Sequence, residues 1–491
     1  MVETELKLLV PEAARCGVER ELFAGGRSTS LRLQAIYFDT ADRRLAAAGL
    51  SLRLRKEGRR WVQALKGAGD GALRRLEHEM ALDGPAQPRV DAARHAGTPA
   101  GDRLAALLAD GAPLAERFRT DVRRRRRAAR ARDGGVELAF DVGAIVAGEA
   151  RSAIAELEIE LTRGAPQAVL DVARRWIVRH ALVLDLRSKA ERGDRLARGE
   201  TCAAPCKAVA PRLERAQTEA QSFAATVAAC LEQVLANAGP VVDGVHGAEH
   251  VHQLRVGLRR LRSALRLFDG AAPAGLDERA AALFRRLGST RDRDALAAGV
   301  LPQLRAAGAP LADLPPEAGT GDGHTPVQAL REPEASLLWL DLLALADTPD
   351  AARPRVDAPP LPLDRALGVR LAGWHRQVRR AAKRFDELDA DARHTLRKRF
   401  KRLRYAIEFC TGLYRAKAVE RYLRRLRPVQ DAFGVLNDLQ VAASAFERLT
   451  ADDPRAWFAL GWLASRREAT LGECRAALRR FRNDAEPFWS A

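Results

Sequence analysis

The chain reads as two fold classes joined end to end: an α+β part built on a closed antiparallel β-barrel, then an all-α helical bundle with an internal repeat. Three observations carry this reading. Up to about residue 197 the sequence is a series of short segments with the two-residue period of strands, charge on one parity and apolar residues on the other. From Arg212 onward that alternation gives way to long Arg-, Leu- and Ala-rich segments with helical spacing. Within those segments, a stretch near His252 recurs without a gap near His394.

Eight strands are expected, at Glu3–Val10, Ala35–Asp39, Leu50–Arg55, Trp61–Lys66, Arg75–Leu82, Arg117–Arg124, Val136–Val142 and Ala155–Leu161. Turns such as Lys56-Glu-Gly58 and Asp133-Gly-Gly135 separate several of them. Asp102–Asp110 and Ala165–His180, with Pro166 near its start, have helical spacing. These elements make a domain over residues 1–197. Residues 198–212 read as a linker holding Cys202-Ala-Ala-Pro-Cys206; with no second Cys pair and no nearby His, thiols in a linker fit better than a zinc site. The second domain runs over residues 213–491, interrupted by a Pro/Gly-rich insertion at 308–362 that contains one helix near Ala335–Ala346.

The charged faces constrain the first domain most. Glu3, Glu5 and Lys7 share one face of the first strand and Leu6, Leu8 and Val10 the other. Arg53 and Arg55 share a face, as do Arg75, Glu77 and Glu79, Glu137 and Asp141, and Glu156, Glu158 and Glu160. A sheet with one wet face explains any one of these. Apolar opposite faces on nearly every strand are better explained if the apolar side meets the core and the charged side lines a closed polar lumen. Two carboxylates about 6 Å apart repel by roughly 3 kcal/mol at an effective dielectric near 20, so such a lumen needs a cation or protonation. Oxygen donors without His or Cys suit Mg²⁺ or Mn²⁺. Lys7, Arg53, Arg55, Lys66, Arg123 and Lys189 pose the opposite requirement, which an extended multivalent anion meets. Metal plus basic side chains around a linear oligophosphate is a workable phosphoryl-transfer site.

In their order, Glu3-x-Glu5-x-Lys7, Tyr37-Phe-Asp-Thr40, Leu52-Arg-Leu-Arg55, Leu65-Lys66, the strand Glu156–Leu161 and Ser188-Lys-Ala-Glu-Arg-Gly193 resemble the CYTH domain, the triphosphate tunnel metalloenzymes. The resemblance implies an eight-stranded tunnel that binds triphosphate with Mg²⁺ or Mn²⁺. It implies Glu3, Glu5 and a Glu of the 156–160 strand, Glu158 ahead of Glu156, as metal ligands, and Asp141 for a second metal or its water. It implies Lys7, Arg53, Arg55, Lys66, Arg123 and Lys189 as phosphate contacts, and Glu5 as the group that polarises the attacking water, tuned by Lys7. The unbroken run Arg123–Arg127 leaves open which arginine points inward.

In the second domain His252, Arg255, Arg259, Arg262 and Arg266 fall on one helical face, opposite Leu254, Leu258, Leu261, Leu265 and Phe268. His394, Arg397, Lys401 and Arg404 repeat that face, and Leu287-Gly288 with Asp292 is matched by Phe433-Gly434 with Asp438. Like charges at these spacings destabilise a helix by a few tenths of a kcal/mol each, so their duplication suggests a use. This part resembles the CHAD domain, which implies polyphosphate contacts at His252, Arg255, Arg259, Arg262, His394, Arg397, Lys401 and Arg404, and with them association with polyphosphate granules. Lys401 lacks the guanidinium fork.

The net charge of +18 favours polyanionic partners, although the Arg and Ala excess is also what GC-rich coding produces, so placement counts for more than the total. Few aromatics interleave the basic faces, which ranks nucleic acid below polyphosphate. No stretch reads as apolar enough to cross a membrane, and the acidic start does not resemble a signal peptide, so a cytoplasmic protein without a membrane partner is expected. The leading expectation is a divalent-metal-dependent hydrolase of inorganic triphosphate or short polyphosphate. A thiamine-triphosphatase or adenylate-cyclase-type activity and a non-catalytic polyphosphate scaffold are the alternatives.

Overall fold

The computed structural model describes residues 2–24, 28–69, 71–84, 86–288, 296–297, 299–313, 325–347 and 361–489. The chain forms two compact units, one of Met1–Pro205, Leu235–His246 and Leu330–Asp347, the other of Cys206–Val234, Gly247–Ala329 and Thr348–Ala491.

The first unit is a closed barrel. Its strands are β1 (Val2–Leu9), β2 (Thr29–Asp39), β3 (Leu50–Glu57), β4 (Arg60–Ala68), β5 (Arg74–Leu82), β6 (Ala115–Ala131), β7 (Gly134–Ala147) and β8 (Ala150–Gly164). They pair antiparallel in the order β5-β4-β3-β2-β6-β7-β8-β1, and β1 closes back on β5 through Glu3↔Arg75. A two-residue strand, β9 (Val183–Leu184), pairs with β1. The two-faced pattern has the expected cause along most of the wall. Leu6, Leu8, Leu52, Leu54, Leu138, Leu157 and Ile159 are buried beneath a covering layer. Part of that layer is helix α4 (Gln167–His180), with Val169, Val172, Ala173, Trp176 and Ile177 inward. The remaining helices here are α1 (Arg15–Ala24), α2 (Arg44–Ala47), α3 (Pro99–Leu107) and α5 (Lys189–Ala197). Thr98 caps α3 by accepting from the Gly101 amide at 3.0 Å, which starts that helix three residues ahead of the sequence expectation.

The helical part comprises α6 (Glu219–Asp243), α7 (Ala248–Leu267), α8 (Leu276–Arg286), α9 (Val300–Ala306), α10 (Pro326–Arg331), α11 (Pro333–Asp347), α12 (Leu363–Lys383), α13 (Ala390–Phe409), α14 (Ala416–Glu447) and α15 (Ala456–Asp484). The end of α6 and the whole of α11 cluster with the barrel. There Ser336 Oγ accepts from the Leu184 amide at 3.0 Å, Asp341 pairs with Arg174, and Arg331 donates to the Val242 carbonyl at 2.7 Å. Helix α6 corrects one expectation: by length and composition it could cross a membrane. Its apolar window is 67% buried, and the helix carries the buried polar side chains Ser222, Thr226, Gln233 and Asn237, as in the core helix of a helical fold. Helices α7 and α13 are the two copies of the repeat, with His252 and His394 each the fifth residue. Asp292 lies outside the described residues, as do 314–324 and 348–360 of the insertion; α11 is the helix expected there.

Candidate functional site

Register stacks the charged residues in rows along the barrel wall. Glu5 sits opposite Glu160, Lys7 opposite Glu158, Asp141 opposite Glu156, Arg124 opposite Asp141, and Lys66 opposite Glu77. Helix α5 supplies a cation from outside the sheet. Ser188 caps it, its Oγ accepting from the Glu191 amide at 3.0 Å, and Lys189 and Arg192 then fall one turn apart on the same face. Gly193 lets the helix approach closely, since a Cβ there would lie 2.1 Å from Phe118. Lys189 Nζ thereby meets Asp141 at 2.7 Å, Glu158 at 2.9 Å and Glu156, while Arg192 reaches Glu156 at 3.3 Å.

Three groups of carboxylates result. Asp141, Glu156 and Glu158 each bring an oxygen within 4.8 Å of the other two. Burial raises Glu156. Burial also pushes Glu158 and Asp141 upward, but for Glu158 Arg124, Lys189 and Lys7, and for Asp141 Arg124 and Lys189, outweigh it and hold both ionised. Glu5 lies between Lys7 and Arg75, each at 2.8 Å; burial opposes its charge, and Lys7 and Lys66 keep its carboxyl below the usual range. Glu3 pairs with Lys66 at 2.8 Å, and Glu77 meets the same ammonium at 3.0 Å. Burial and a hydrogen bond with Glu77 push Glu3 up to about 9, so this pair retains a proton. Opposite them Arg53 and Arg55 approach Glu79 at 3.7 and 3.1 Å, and Arg53 donates to the Tyr37 hydroxyl at 3.3 Å.

An all-oxygen donor set of this compactness fits a hard divalent cation, and Asp141, Glu156 and Glu158 are the residues that would hold it. Glu3 and Glu5, read from the sequence as ligands alongside Glu158, are not drawn into that cluster and hold lysines instead. One position is corrected. Arg123 points away from the lumen, its side chain 58% exposed and 3.8 Å from Glu19, and the inward arginine is Arg124, bidentate to Asp141 at 2.7 Å and paired with Glu158. The cause is that apolar side chains fill this end of the barrel. Tyr37, Phe118, Val122, Ile145 and Ile154 pack together with Ala190 and Leu196 of α5, so Phe118, Val122 and, next on that parity, Arg124 face inward. Arg75, Glu77, Arg124 and Arg192 were not among the sequence-derived site residues. The parity of Arg75 and Glu77, and the one-turn spacing of Arg192 from Lys189, carried the signal for three of them.

The basic face of α7 is not simply open. Arg255 lies 4.4 Å over the Phe284 ring and Arg259 5.6 Å, while Arg262 and Arg266 pair with Asp277 at 2.6 and 2.7 Å. On α13 Arg404 pairs with Glu408 at 2.6 Å, and Arg397 and Lys401 are half-buried. Burial with Lys398 and Arg397 nearby lowers His394. Arg402, on the same helix, is pressed down to about 10 by burial and by Arg266, Arg262 and Arg399. The two repeats therefore bring Arg262, Arg266 and Arg402 together around Asp277, a place where an added anion is favoured.

A closed eight-stranded barrel with this acid-and-base lining is a triphosphate tunnel, and the class is that of a tunnel protein carrying a helical module. A CYTH domain is found over residues 1–193, and the chain belongs to the CHAD domain family over residues 225–447. Among solved structures, the CHAD domain from the plant Ricinus communis shares 33% identity, covering 56% of this chain and 96% of its own, with a TM-score of 0.46. A putative adenylyl cyclase from Hippeastrum, described as having a dominant triphosphatase activity, shares 18% over 40% of this chain and 96% of its own, TM-score 0.28. A putative adenylate cyclase from Bacillus halodurans shares 18% over 39% and 96%, TM-score 0.28.

Proposed function

We propose that the tunnel hydrolyses inorganic triphosphate, or the end of a short polyphosphate, with Mg²⁺ or Mn²⁺, and that the helical unit binds polyphosphate. The observation that carries the reading is the adjacency of the Asp141–Glu156–Glu158 cluster to a lining of Lys7, Lys66, Arg53 and Arg55. A bound divalent ion supplies charge neutralisation at the phosphoryl oxygens. Lys66, Arg53 and Arg55 bind non-bridging oxygens, and Lys189 and Arg124 fix the carboxylates. Glu5, held ionised, orients the attacking water as an acceptor, with Lys7 fixing its position. Water's oxygen bonds to the terminal phosphorus, the P–O bond to the diphosphate breaks, and orthophosphate and pyrophosphate leave with the proton divided between them and solvent.

The test is phosphate release from triphosphate by the full chain carrying Glu5→Gln or Lys7→Ala, in Mg²⁺ and in Mn²⁺. Each substitution is expected to cost about 100-fold or more. Survival of activity in both refutes the site. Thiamine triphosphate and ATP in the same assay, with products identified, separate the organic-substrate readings. For the helical unit, Arg397→Ala with Lys401→Ala is expected to weaken polyphosphate binding and reduce its salt dependence.

A further inference from the structure

The proposed tunnel chemistry uses only Arg124 of the basic run in β6, and further arginines of that strand face elsewhere. Arg127 and Arg130 line a surface cleft of about 450 Å³ outside the tunnel, together with Arg175, Trp176 and Arg179 of α4 and Glu21 of α1. The floor is apolar, with Leu138, Val172 and Trp176 buried. The rim is basic. Among the described residues Glu21 is the one carboxylate that lines it, and both oxygens are engaged, one by Arg179 Nη1 at 2.9 Å and one by His180 Nε2 at 2.7 Å. Among the described residues, neither Arg130 nor Arg175 has a carboxylate within ion-pairing distance.

Two further features point toward a ligand. Arg127 Nη1 donates to the Glu21 carbonyl at 3.2 Å, while its Nε–H is buried without an acceptor. Pairing of β6 with β2 ends at Thr29↔Arg126, so the edge of β6 from Arg127 onward has no strand on that side among the described residues. Unpaired edge amides add donors to the guanidinium forks.

We propose that this cleft is a second, non-catalytic anion site that binds a compact oligophosphate, either inorganic or the phosphate tail of a nucleotide. Four guanidiniums against one carboxylate leave about three positive charges, which suits a diphosphate or triphosphate better than a single carboxylate or sulfate. The volume exceeds an inorganic diphosphate and admits a nucleotide resting on the apolar floor. The apolar floor lies on the outer side of the wall, where Leu138 meets Val172 and Trp176 of α4, and the proposed tunnel chemistry uses none of the cleft residues.

The test is calorimetric titration of the full chain with pyrophosphate, and separately with ADP, in EDTA. Wild type is compared with an Arg130→Ala/Arg175→Ala double variant. Both side chains are exposed, so melting temperature and triphosphate turnover should stay at wild-type values while one class of site weakens by about tenfold or more. A response to pyrophosphate identifies an inorganic ligand; a response to ADP alone identifies a nucleotide. A ligand-induced fluorescence change that is lost in Trp176→Phe locates the event. Equal stoichiometry and affinity in wild type and double variant for both probes overturn the proposal.

Discussion

Arg124→Ala and Arg123→Ala, adjacent substitutions of the same residue type, should behave as opposites. Arg124 makes two 2.7 Å bonds to Asp141, whose side chain is fully buried, and also pairs with Glu158. Removing one partner of a buried pair costs about 3–5 kcal/mol. Lys189 still neutralises both carboxylates, which places the expected loss near the lower end, about 3 kcal/mol. For a barrel of this size that lowers its melting transition by roughly 6–12 °C. Arg123 meets Glu19 at 3.8 Å in solvent, and its loss should cost no more than about 0.5 kcal/mol. Divalent binding gives an independent readout. A charge of +1 about 6 Å from a divalent ion opposes it by about 1.4 kcal/mol even at the dielectric of water, so Arg124→Ala should bind Mn²⁺ at least about tenfold more tightly. Differential scanning calorimetry with and without Mn²⁺ measures both effects. A drop confined to Arg123→Ala, or Mn²⁺ affinity unchanged in Arg124→Ala, would refute the assignment of Arg124 to the metal-holding wall.

Three further outcomes follow from the same geometry. Gly193→Ala places a Cβ 2.1 Å from Phe118 and should push α5 outward with Lys189, lowering turnover by about tenfold or more at a stability cost of about 1–3 kcal/mol. Phe118→Leu should restore part of the rate, and unaltered kinetics in Gly193→Ala would show that α5 seating does not set the site. His95, fully buried with Gln63 Nε2 at 2.9 Å and His78 Nδ1 at 2.8 Å, is lowered to about 4 by burial, His78 and Arg94. Because the folded state favours the neutral ring, its stabilisation is complete above about pH 6.5 and declines by up to about 3 kcal/mol as pH falls toward 4. Urea melts of His95→Asn should show a flatter slope across that window, and an unchanged slope would count against it. A chain truncated near residue 200 loses the segments Leu235–His246 and Leu330–Asp347 that cluster with the barrel, so it should melt lower than the barrel transition of the whole chain. In the intact chain, Ser336→Ala should cost about 1–3 kcal/mol by stranding the buried Leu184 amide, and thermal melts that match wild type would refute this.

The strands were legible because burial on one side and charge on the other is a two-residue signal that survives in a single sequence, as at Glu3–Val10 and Glu156–Leu161. The same rule misassigned Arg123. It holds only where the lumen is polar, and at the end filled by Phe118, Ile145 and Ile154 the apolar parity turns inward. What closes that end is α5, which follows in sequence only after β9, so nothing local to β6 announces it. The repeat on α7 and α13 was legible to the residue, but its environment was not. Asp277 and Phe284 come from α8, and periodicity within α7 has no access to a neighbouring helix.

Charges of both signs are interleaved along the lining. Acids of the wall are held by bases: Glu5 by Lys7 and Arg75, Glu3 and Glu77 by Lys66, and Asp141 and Glu158 by Lys189 and Arg124. An anion that draws Lys66 and Arg53 toward itself takes them from Glu3, Glu77 and Glu79, and the carboxylates left behind repel one another in a poorly solvated space. A cation arriving with the anion offsets that cost, and a cation arriving alone must displace Lys189 from three carboxylates. Under the proposed function, binding of the two is therefore expected to be coupled through the side chains of the wall, each raising the affinity for the other. The opening Glu3-x-Glu5-x-Lys7 is where that exchange runs through one strand: its acids hold the basic residues that a phosphate chain would claim.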